Sequence, residues 1–157
     1  MSLFIANVLL ALIWATVFGE FTPWNFIVGL IVAHLALRLA IRNPRSAYFR
    51  KVGTTIALIF FFIKELIVAN FLMVKYTLSP LNKLSPGILA VPLKPGMSDL
   101  EITVLANMVT LTPGTLSMDV SEDRRALFVH FMHIEDKDAA IRDVKDGFER
   151  RLLAVTR

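Results

Sequence analysis

The chain has 157 residues, enough for one ordinary domain or for a membrane anchor with a small domain attached. It contains no cysteine, which excludes disulfide bonds and thiolate metal sites. Of its 30 Lys, Arg, Asp and Glu residues, eight lie in residues 1–74 and 22 in residues 75–157. This asymmetry predicts an apolar membrane part followed by a small water-facing domain, because a soluble protein with one core would mix the two compositions.

The formal net charge of +4 comes from the first part of the chain, where six bases face two acids, whereas residues 75–157 carry eleven of each. The excess bases lie beside apolar segments, a position that suits phospholipid headgroups better than nucleic acid. We therefore predict that the chain meets a phospholipid membrane and does not bind nucleic acid.

Three apolar segments follow one another, Leu3–Gly19, Trp24–Ile41 and Val52–Val74. A membrane span needs about 20 apolar residues, so the first two are short and the third is long enough. The first lacks the basic start and the cleavage site of a signal peptide, and we expect it to be a retained helix. The tight turn Glu20–Pro23 would join the first two helices into a hairpin, with Thr22 as the cap of the second.

Four polar residues are predicted to lie inside the membrane part: His34, Lys64, Glu65 and Asn70. Neighbours on a helix point about 100° apart, so Lys64 and Glu65 are not expected to share one face. One interpretation is a proton or cation relay. The other, which we favour because one isolated acid rarely makes a relay, is polar contact with a neighbouring protein helix.

The orientation of the chain stays open at this point. The bases of segment 42–51 form the strongest positive cluster and favour a cytoplasmic location for it: Arg42, Arg45, Arg50 and Lys51. If the third helix then spans the membrane once, the C-terminal domain lies outside. The opposite orientation places that domain inside and the cluster outside.

The turn formers Ser79-Pro80 and Ser85-Pro86-Gly87 divide the chain into a transmembrane helical region (1–78), a linker (79–87) and a water-facing domain (88–157). Ile88–Leu93 is predicted to be an edge strand because Pro92 cannot donate to a ladder. Ser98 and Glu101 form a capping box for a helix that reaches about Thr110. Its apolar stripe is expected to comprise Leu100, Val104, Leu105, Met108 and Val109.

The sequence of the rest of the domain predicts a β-hairpin followed by a helix. Strands Leu116–Val120 and Ala126–Ile134 flank the polar turn Ser121–Arg125. A last helix begins at Asp136 or Lys137 and buries Ile141, Val144, Phe148 and Leu152, while the pairs Asp138/Arg142, Arg142/Asp146 and Asp146/Arg150 stack on its outside. The fold class is thus an α-helical membrane part with a small C-terminal α+β domain of order β-α-β-β-α, whose thin core favours docking against a partner.

The chain shows no phosphate-binding glycine loop and no hydrolase or metalloprotease motif, and we predict neither a cofactor nor catalysis. His130 and His133, three apart in the predicted strand, would point to opposite faces and could not chelate one metal. The acids at the hairpin end, Asp119, Glu122 and Asp123, are expected to be a solvated turn.

The segment Asn107–Thr115 stands out. Thr112-Pro113-Gly114-Thr115 suits a type II turn, in which proline fixes φ at the second position and glycine supplies a positive φ at the third. Thr110, Thr112 and Thr115 would place hydroxyls around the free carbonyls of the helix end. Such a turn is either a simple helix stop or a rigid loop that presses on another subunit or on the membrane surface.

The apolar hairpin, the long third segment and the run Thr110-Leu-Thr-Pro-Gly-Thr-Leu116 together resemble the E subunit of the multisubunit Mrp-type Na⁺/H⁺ antiporter, over essentially the whole chain. The resemblance implies an accessory and assembly subunit of a multi-pass complex in the cell (inner) membrane that exchanges Na⁺, or K⁺ in some members, for H⁺. It implies other antiporter subunits as partners and a cytoplasmic C-terminal domain. It also gives importance to Thr112, Pro113 and Gly114, with Asn107, Thr110 and Thr115 beside them.

Two other functions remain open on the residues alone. A stand-alone membrane-tethered binding or sensor domain would need a concave polar site in the C-terminal domain. A membrane enzyme would have to use Asp119, His130 and His133.

Overall fold

The structure, a computed structural model, describes residues 3–19, 21–41 and 46–157. The predicted turn residue Glu20 and the bases Arg42 and Arg45 lie outside the described residues. The chain forms two compact units, Met1–Gly53 and Thr54–Arg157. This division falls earlier than the predicted boundary at residue 78, because most of the third helix belongs to the same unit as the C-terminal domain.

The first unit contains helices α1, Leu3–Val17, and α2, Pro23–Ala40, and the start of α3, Ala47–Thr77. The three apolar segments are therefore helical, as predicted. The Thr22 hydroxyl accepts a hydrogen bond from the backbone N–H of Asn25, and proline occupies the first turn of α2, as the sequence indicated.

Helices α1 and α2 approach each other closely along small residues. Ala11, Ala15 and Ala33 are buried, and Gly29 lies so near α1 that a Cβ on it would be 3.0 Å from the carbonyl oxygen of Ala11. Each helix thus presents two small residues four apart, the spacing that lets membrane helices pack backbone to backbone. Trp14 donates its indole N–H to the Asn25 side chain at 3.2 Å and ties the same two helices together.

The second unit contains the C-terminal domain and most of α3. Its strands are β1, Gly87–Pro92; β2, Thr115–Val120; and β3, Ala126–Phe131. Its helices are α4, Asp99–Leu111; α5, Lys137–Arg142; and α6, Arg150–Thr156, with a π-helical segment Asp143–Glu149 between the last two. The sheet is antiparallel with the order β1-β3-β2, so the predicted α+β class, the element order and the edge position of β1 are confirmed.

The core lies between the sheet and the helices. Alternate residues of β3 point into it, and Leu127 and Val129 are almost fully buried. On α4 the predicted stripe is right for Leu105, Met108 and Val109 and leaves Val104 half-buried. It is wrong for Leu100, which is 71% exposed, because Ile102 faces the core instead.

The last helical stretch buries Val144, Phe148 and Leu152 as predicted, whereas Ile141 is half-buried. The stacked charge pairs that we predicted on its outside are replaced by other pairs. Arg142 meets Asp136 at 3.6 Å and Lys145 meets Glu149 at 3.6 Å. For the two predicted pairs that include Asp146, the reason is the π-helical segment, whose hydrogen bonds span five residues and shift the register of the side chains. The pair Asp138/Arg142 lies in α5, where Arg142 turns to Asp136 instead.

Helix α3 packs on this domain through large side chains. Leu58, Phe61 and Phe62 add to its core, and the Phe61 and Phe148 rings lie 5.4 Å apart, edge to face. The Arg151 guanidinium lies 3.9 Å from the centre of the Phe61 ring, a cation–π contact. The stretch Leu58–Phe62 of the third apolar segment therefore packs on the charged domain through one side.

The predicted capping box at the start of α4 is present and extends into a buried network. Ser98 N–H donates to Glu101 at 2.8 Å, and Glu101 N–H donates to the Ser98 hydroxyl at 3.3 Å. Thr156 on α6 donates to the Glu101 carboxylate at 2.5 Å, and Arg157 ion-pairs with it at 3.4 Å. The Thr156 hydroxyl foremost, then the Ser98 N–H and Arg157, lower the Glu101 pKa from 4.5 to about 2.

This network predicts an acid-dependent loss of stability. Because the folded-state pKa of Glu101 is depressed, its stabilising contribution is complete above about pH 4.5 and disappears as the pH falls toward 2. Glu101→Gln is expected to cost about 2 kcal/mol at neutral pH and to remove this part of the pH dependence. Amide hydrogen exchange at the start of α4 in the full chain measures both effects. Glu122→Gln, on the exposed hairpin turn, is the control; equal behaviour of the two variants would contradict the prediction.

Candidate subunit-docking site

The segment that stood out in the sequence forms a rigid turn between α4 and β2. Gly114 has φ +94°, and Thr115 N–H donates to the Thr112 carbonyl at 3.2 Å, the arrangement of a type II turn. The Gly114 carbonyl accepts from Met132 N–H at 2.9 Å, so the turn is also fixed to the end of β3. These hydrogen bonds restrict the backbone conformation of the turn residues Thr112–Thr115.

The threonine hydroxyls fix the turn to the end of α4. Thr112 donates to the Met108 carbonyl at 3.0 Å, and Thr115 donates to the Val109 carbonyl at 2.7 Å. These bonds satisfy carbonyls that the helix end leaves free, as expected. Thr110 departs from the prediction, because its hydroxyl accepts a hydrogen bond from Ser117 N–H at 3.1 Å instead of covering a carbonyl.

The turn lines a cleft of about 350 Å³ between α3 and the C-terminal domain, within the second unit. Helix α3 supplies one wall with Glu65, Val68, Ala69, Leu72 and Tyr76. The turn residues Thr112, Pro113, Gly114 and Thr115 supply part of the other wall, together with α5 and the segment after β3. Of the predicted docking residues, the structure therefore brings these four to the cleft, while Asn107 and Thr110 lie on the exposed side of α4.

Acidic groups of the domain surround the cleft: Glu135, Asp136 and Asp143. His133 lies among them, accepts from Ser85 N–H at 3.1 Å, and faces Glu135 at 3.4 Å. Its ring also lies 5.3 Å from that of Tyr76 on α3. The sequence did not indicate this cluster, since its members come together only through the packing of α3 on the domain.

The predicted strand position of His133 is wrong. Strand β3 ends at Phe131, so His133 lies in the loop beyond it, while His130 remains in the strand. Within the described ranges, no group of three His, Asp or Glu residues could hold a metal ion. His130 and His133 therefore belong to no such group among the described residues.

The three acids of the hairpin, Asp119, Glu122 and Asp123, lie in or next to a solvent-facing turn, as predicted. The Asp123 carboxylate accepts from the Ser121 hydroxyl at 2.7 Å and from Arg125 N–H at 3.1 Å, and these bonds lower the Asp123 pKa. Asp119 accepts from Val120 N–H at 2.7 Å, and Glu122 is exposed. These contacts stabilise the chain reversal and converge on no common point.

Lys64 and Glu65 were not expected to share one face of α3. Their side chains nevertheless meet at 3.3 Å, because both are long enough to bend toward each other from adjacent positions. The Lys64 side chain is 71% exposed, whereas Glu65 is 27% exposed and turned toward the cleft. Asn70 donates to the Leu66 carbonyl of its own helix at 2.7 Å.

This geometry predicts that Glu65 carries no transported proton. An ion pair between neighbours with one largely exposed partner contributes little, about 0–1 kcal/mol. Among the described residues, Glu65 pairs with Lys64 and makes no hydrogen bond to His133 or to the acids of the cleft. Glu65→Gln in the assembled complex is therefore expected to leave the pH profile of cation/proton exchange unchanged. Lys64→Gln, which breaks the same ion pair from its other side, is the control. A shifted pH optimum in the Glu65 variant alone would contradict this prediction and restore the relay.

In the first unit, His34 belongs to a polar cluster that the sequence analysis missed. Its Nδ1 lies 3.3 Å from the Tyr48 hydroxyl, which also accepts a hydrogen bond from the buried side chain of Asn7. Among the described residues, no donor reaches the other side-chain atom of Asn7, its Oδ1. The sequence did contain an indication of this cluster, since Asn7 is a polar residue within an otherwise apolar run.

Within the part of the chain that the structure describes, two helices are long and apolar enough to cross a membrane, α2 with 18 residues and α3 with 31. Helix α1, with 15 residues, is shorter. By length and composition alone, these helices fit a membrane protein.

Comparison with known proteins places these features in one family. The family model described as "Na⁺/H⁺ ion antiporter subunit" matches residues 7–155. The chain is 40% identical to the E subunit of the Na⁺/H⁺ antiporter of Alkalihalophilus pseudofirmus and 41% identical to that of Bacillus subtilis, in each case over 96% of both chains.

Two solved structures are also similar. A chain of the Mrp complex from a Dietzia species is 27% identical, with a TM-score of 0.51 over 66% of this chain and 94% of that one. A chain of an archaeal membrane-bound sulfane sulfur reductase, 24% identical, has a TM-score of 0.60 over 98% of both chains and supports the fold alone. With a family match over nearly its whole length and close full-length relatives, the chain belongs to the family of Na⁺/H⁺ antiporter E subunits.

Proposed function

We propose that the chain is an accessory and assembly subunit of a multisubunit cation/proton antiporter in the cell membrane, where it contributes to Na⁺ efflux and pH homeostasis. The observation that carries this proposal is the full-length likeness to relatives that are named as E subunits of Na⁺/H⁺ antiporters. The chain acts through binding to the other subunits and without catalysis of its own.

The cleft beside the Thr112–Thr115 turn is the surface that we assign to docking. Its walls are largely apolar, as the partly buried centre of a protein interface requires. The turn that forms one wall is fixed by backbone and hydroxyl hydrogen bonds at both ends. A partner therefore meets a surface that is already ordered and loses little conformational entropy by binding to it.

The C-terminal domain belongs on the cytoplasmic side in this proposal, which follows the family. Its location is measurable because the natural chain has no cysteine. Arg125→Cys places one thiol on the exposed hairpin turn. A membrane-impermeant maleimide is expected to label this thiol in inverted vesicles and not in right-side-out vesicles. Labelling in right-side-out vesicles alone would place the domain outside.

Isolation of the tagged chain from its native membrane tests the proposed function directly. The chain, tagged at its C-terminus and extracted in mild detergent, is expected to bring large multi-helix antiporter subunits with it in fixed ratio. An identically treated membrane with the untagged chain is the control. Recovery of the chain alone, as a folded monomer or homo-oligomer, would overturn the proposal and favour a stand-alone membrane-tethered binding or sensor domain with the cleft as its ligand site.

A further inference from the structure

Helix α3 has one face that is covered by the C-terminal domain. Near one end of the covered stretch, Phe61 packs on Phe148, and near the other end Tyr76 packs on His133. From Phe61 to Tyr76 the helix rises by fifteen steps of 1.5 Å, about 22 Å. Glu65 lies between these contacts and turns toward the cleft.

The opposite face of the same stretch is apolar and exposed. Five large side chains form it at intervals of four, four, four and three residues, which places them on one side of a helix: Ile59, Ile63, Ile67, Phe71 and Val74. Their exposed fractions range from 47% at Ile63 to 74% at Phe71. We call these five residues the α3 stripe.

A membrane-spanning position does not agree with this arrangement. The hydrocarbon core is about 30 Å thick and takes about 20 helical residues, but only the fourteen residues Ala47–Phe60 of α3 precede the covered stretch, so a helix that crosses would carry part of that stretch into the core. The domain on the other face belongs to a part of the chain with 22 charged residues, and charged side chains are costly in hydrocarbon. A helix that lies along the membrane surface gives each face a suitable environment. Its apolar stripe is in lipid, and the charged domain on its other face is in water.

The charges beside the stripe indicate what it meets. Lys64 and Lys75 are eleven residues apart, close to three full turns, and therefore lie on the same edge of the stripe. Both are exposed, while Glu65, the one acid of α3, lies on the domain side. Two bases at the edge of an apolar helix face are complementary to anionic lipid headgroups, although Lys64 also meets Glu65 at 3.3 Å.

We infer that α3 is an interfacial helix, whose stripe Ile59–Val74 is inserted into one leaflet of the bilayer while Lys64 and Lys75 bind anionic phospholipid headgroups. The occupant of the stripe is thus lipid and not a helix of another subunit. Since such a helix does not cross, its N-terminal bases Arg50 and Lys51 stay on the same membrane side as its C-terminal end. The preference of basic segments for the cytoplasm then agrees with a cytoplasmic C-terminal domain.

The inference requires only that the chain resides in a membrane, so its test is independent of the proposed function. Single cysteines at the five stripe positions, one per variant, carry a nitroxide label in the full chain, which is purified with any subunits that accompany it and reconstituted into phosphatidylglycerol–phosphatidylcholine vesicles. Relative accessibility to oxygen and to a water-soluble nickel chelate reports the depth of each label. Labels at Ile27, Ile31 and Leu35, exposed positions of α2 at the same spacing, serve as the comparison helix.

A uniform shallow depth along the whole stripe is the expected result, in contrast to a depth that changes from turn to turn along α2. A depth that passes through a maximum near Ile67 would show a spanning helix and overturn the inference. Immobilised labels that neither reagent reaches would show a protein partner on the stripe and overturn it as well. Five positions are used so that failure of one variant to assemble leaves the profile readable.

The headgroup contact has a separate test. In the vesicles described, Lys64→Gln with Lys75→Gln is expected to make the Ile67 label at least twofold more accessible to the nickel chelate, because the helix loses its electrostatic attachment. The double variant Lys94→Gln with Lys137→Gln removes two exposed bases of the C-terminal domain and is the control. Equal accessibility in the two double variants would contradict the assigned role of Lys64 and Lys75.

Discussion

Replacement of Gly114 by Val is expected to lower the yield of the assembled antiporter complex, and its exchange activity, by about tenfold or more. Gly114 has φ +94°, a conformation in which a β-branched residue is a strong outlier. Backbone strain of this kind costs about 1–3 kcal/mol, and 1.4 kcal/mol corresponds to a factor of ten in a binding constant. The space itself is open, since a Cβ at this position would lie 4.0 Å from Met73, so the effect comes from the backbone.

Gly96→Val is the matched control for this experiment. Gly96 also has a positive φ, +76°, its added Cβ would meet nothing within 4 Å, and it lies in another turn of the same domain, away from the cleft. Complex yield is measured by co-purification, and protection of the α4 and β3 amides from hydrogen exchange shows that the domain stays folded. Equal losses in both variants would mean that strain destabilises the domain generally. Wild-type exchange in the Gly114 variant would remove the docking role of the turn.

Pro113→Ala acts on the same turn more weakly. Proline presets the φ angle of the second turn position, and its loss restores freedom to the unbound chain, typically about 0.4–1 kcal/mol. The order expected for complex yield is therefore wild type, then the Pro113 variant, then the Gly114 variant. This order distinguishes a requirement for a rigid turn from a requirement for the proline ring itself.

Features that depend on a few neighbouring residues could be predicted from the sequence. The Thr22 cap, the Ser98–Glu101 capping box and the turn at Gly114 each depend on bonds between residues that lie within four positions of one another. Hairpin and helix positions in the C-terminal domain followed from alternation and periodicity in the same way. The geometry of such local features is determined by the residues that form them and does not depend on the rest of the fold.

The cleft could not be predicted, because it depends on which side of α3 meets the domain. Large apolar residues occur all around this helix, so composition does not distinguish Phe61, which packs on Phe148, from Phe60, which is 69% exposed. The same ambiguity misplaced Leu100 on the buried side of α4. The residues that face Glu65 in the cleft and the contacts of His133 with Tyr76 and Ser85 come from tens of residues away, a distance at which local patterns carry no information.

The α1–α2 hairpin should be the most sensitive part of the first unit to a change in side-chain size. Helices in lipid gain little from the hydrophobic effect when they associate, so close packing of small residues carries much of their stability. A Cβ at Gly29 would lie 3.0 Å from the Ala11 carbonyl oxygen and 3.1 Å from the Trp14 ring. Gly29→Leu is therefore expected to force the helices apart, at a cost of about 1–3 kcal/mol or more.

Gly53→Leu provides the control, because Gly53 also lies in a helix and its added Cβ would meet nothing within 4 Å. Both changes are made with Trp24→Phe, which leaves Trp14, hydrogen-bonded to Asn25 in the hairpin, as the single tryptophan. Titration with dodecyl sulfate in mixed micelles, followed by Trp14 emission, should give a lower midpoint for the Gly29 variant than for the Gly53 variant. Equal midpoints would mean that side chains other than Gly29 determine the hairpin stability. A lower midpoint would show that the close approach of the helices at Gly29, against both Ala11 and Trp14, contributes to hairpin stability.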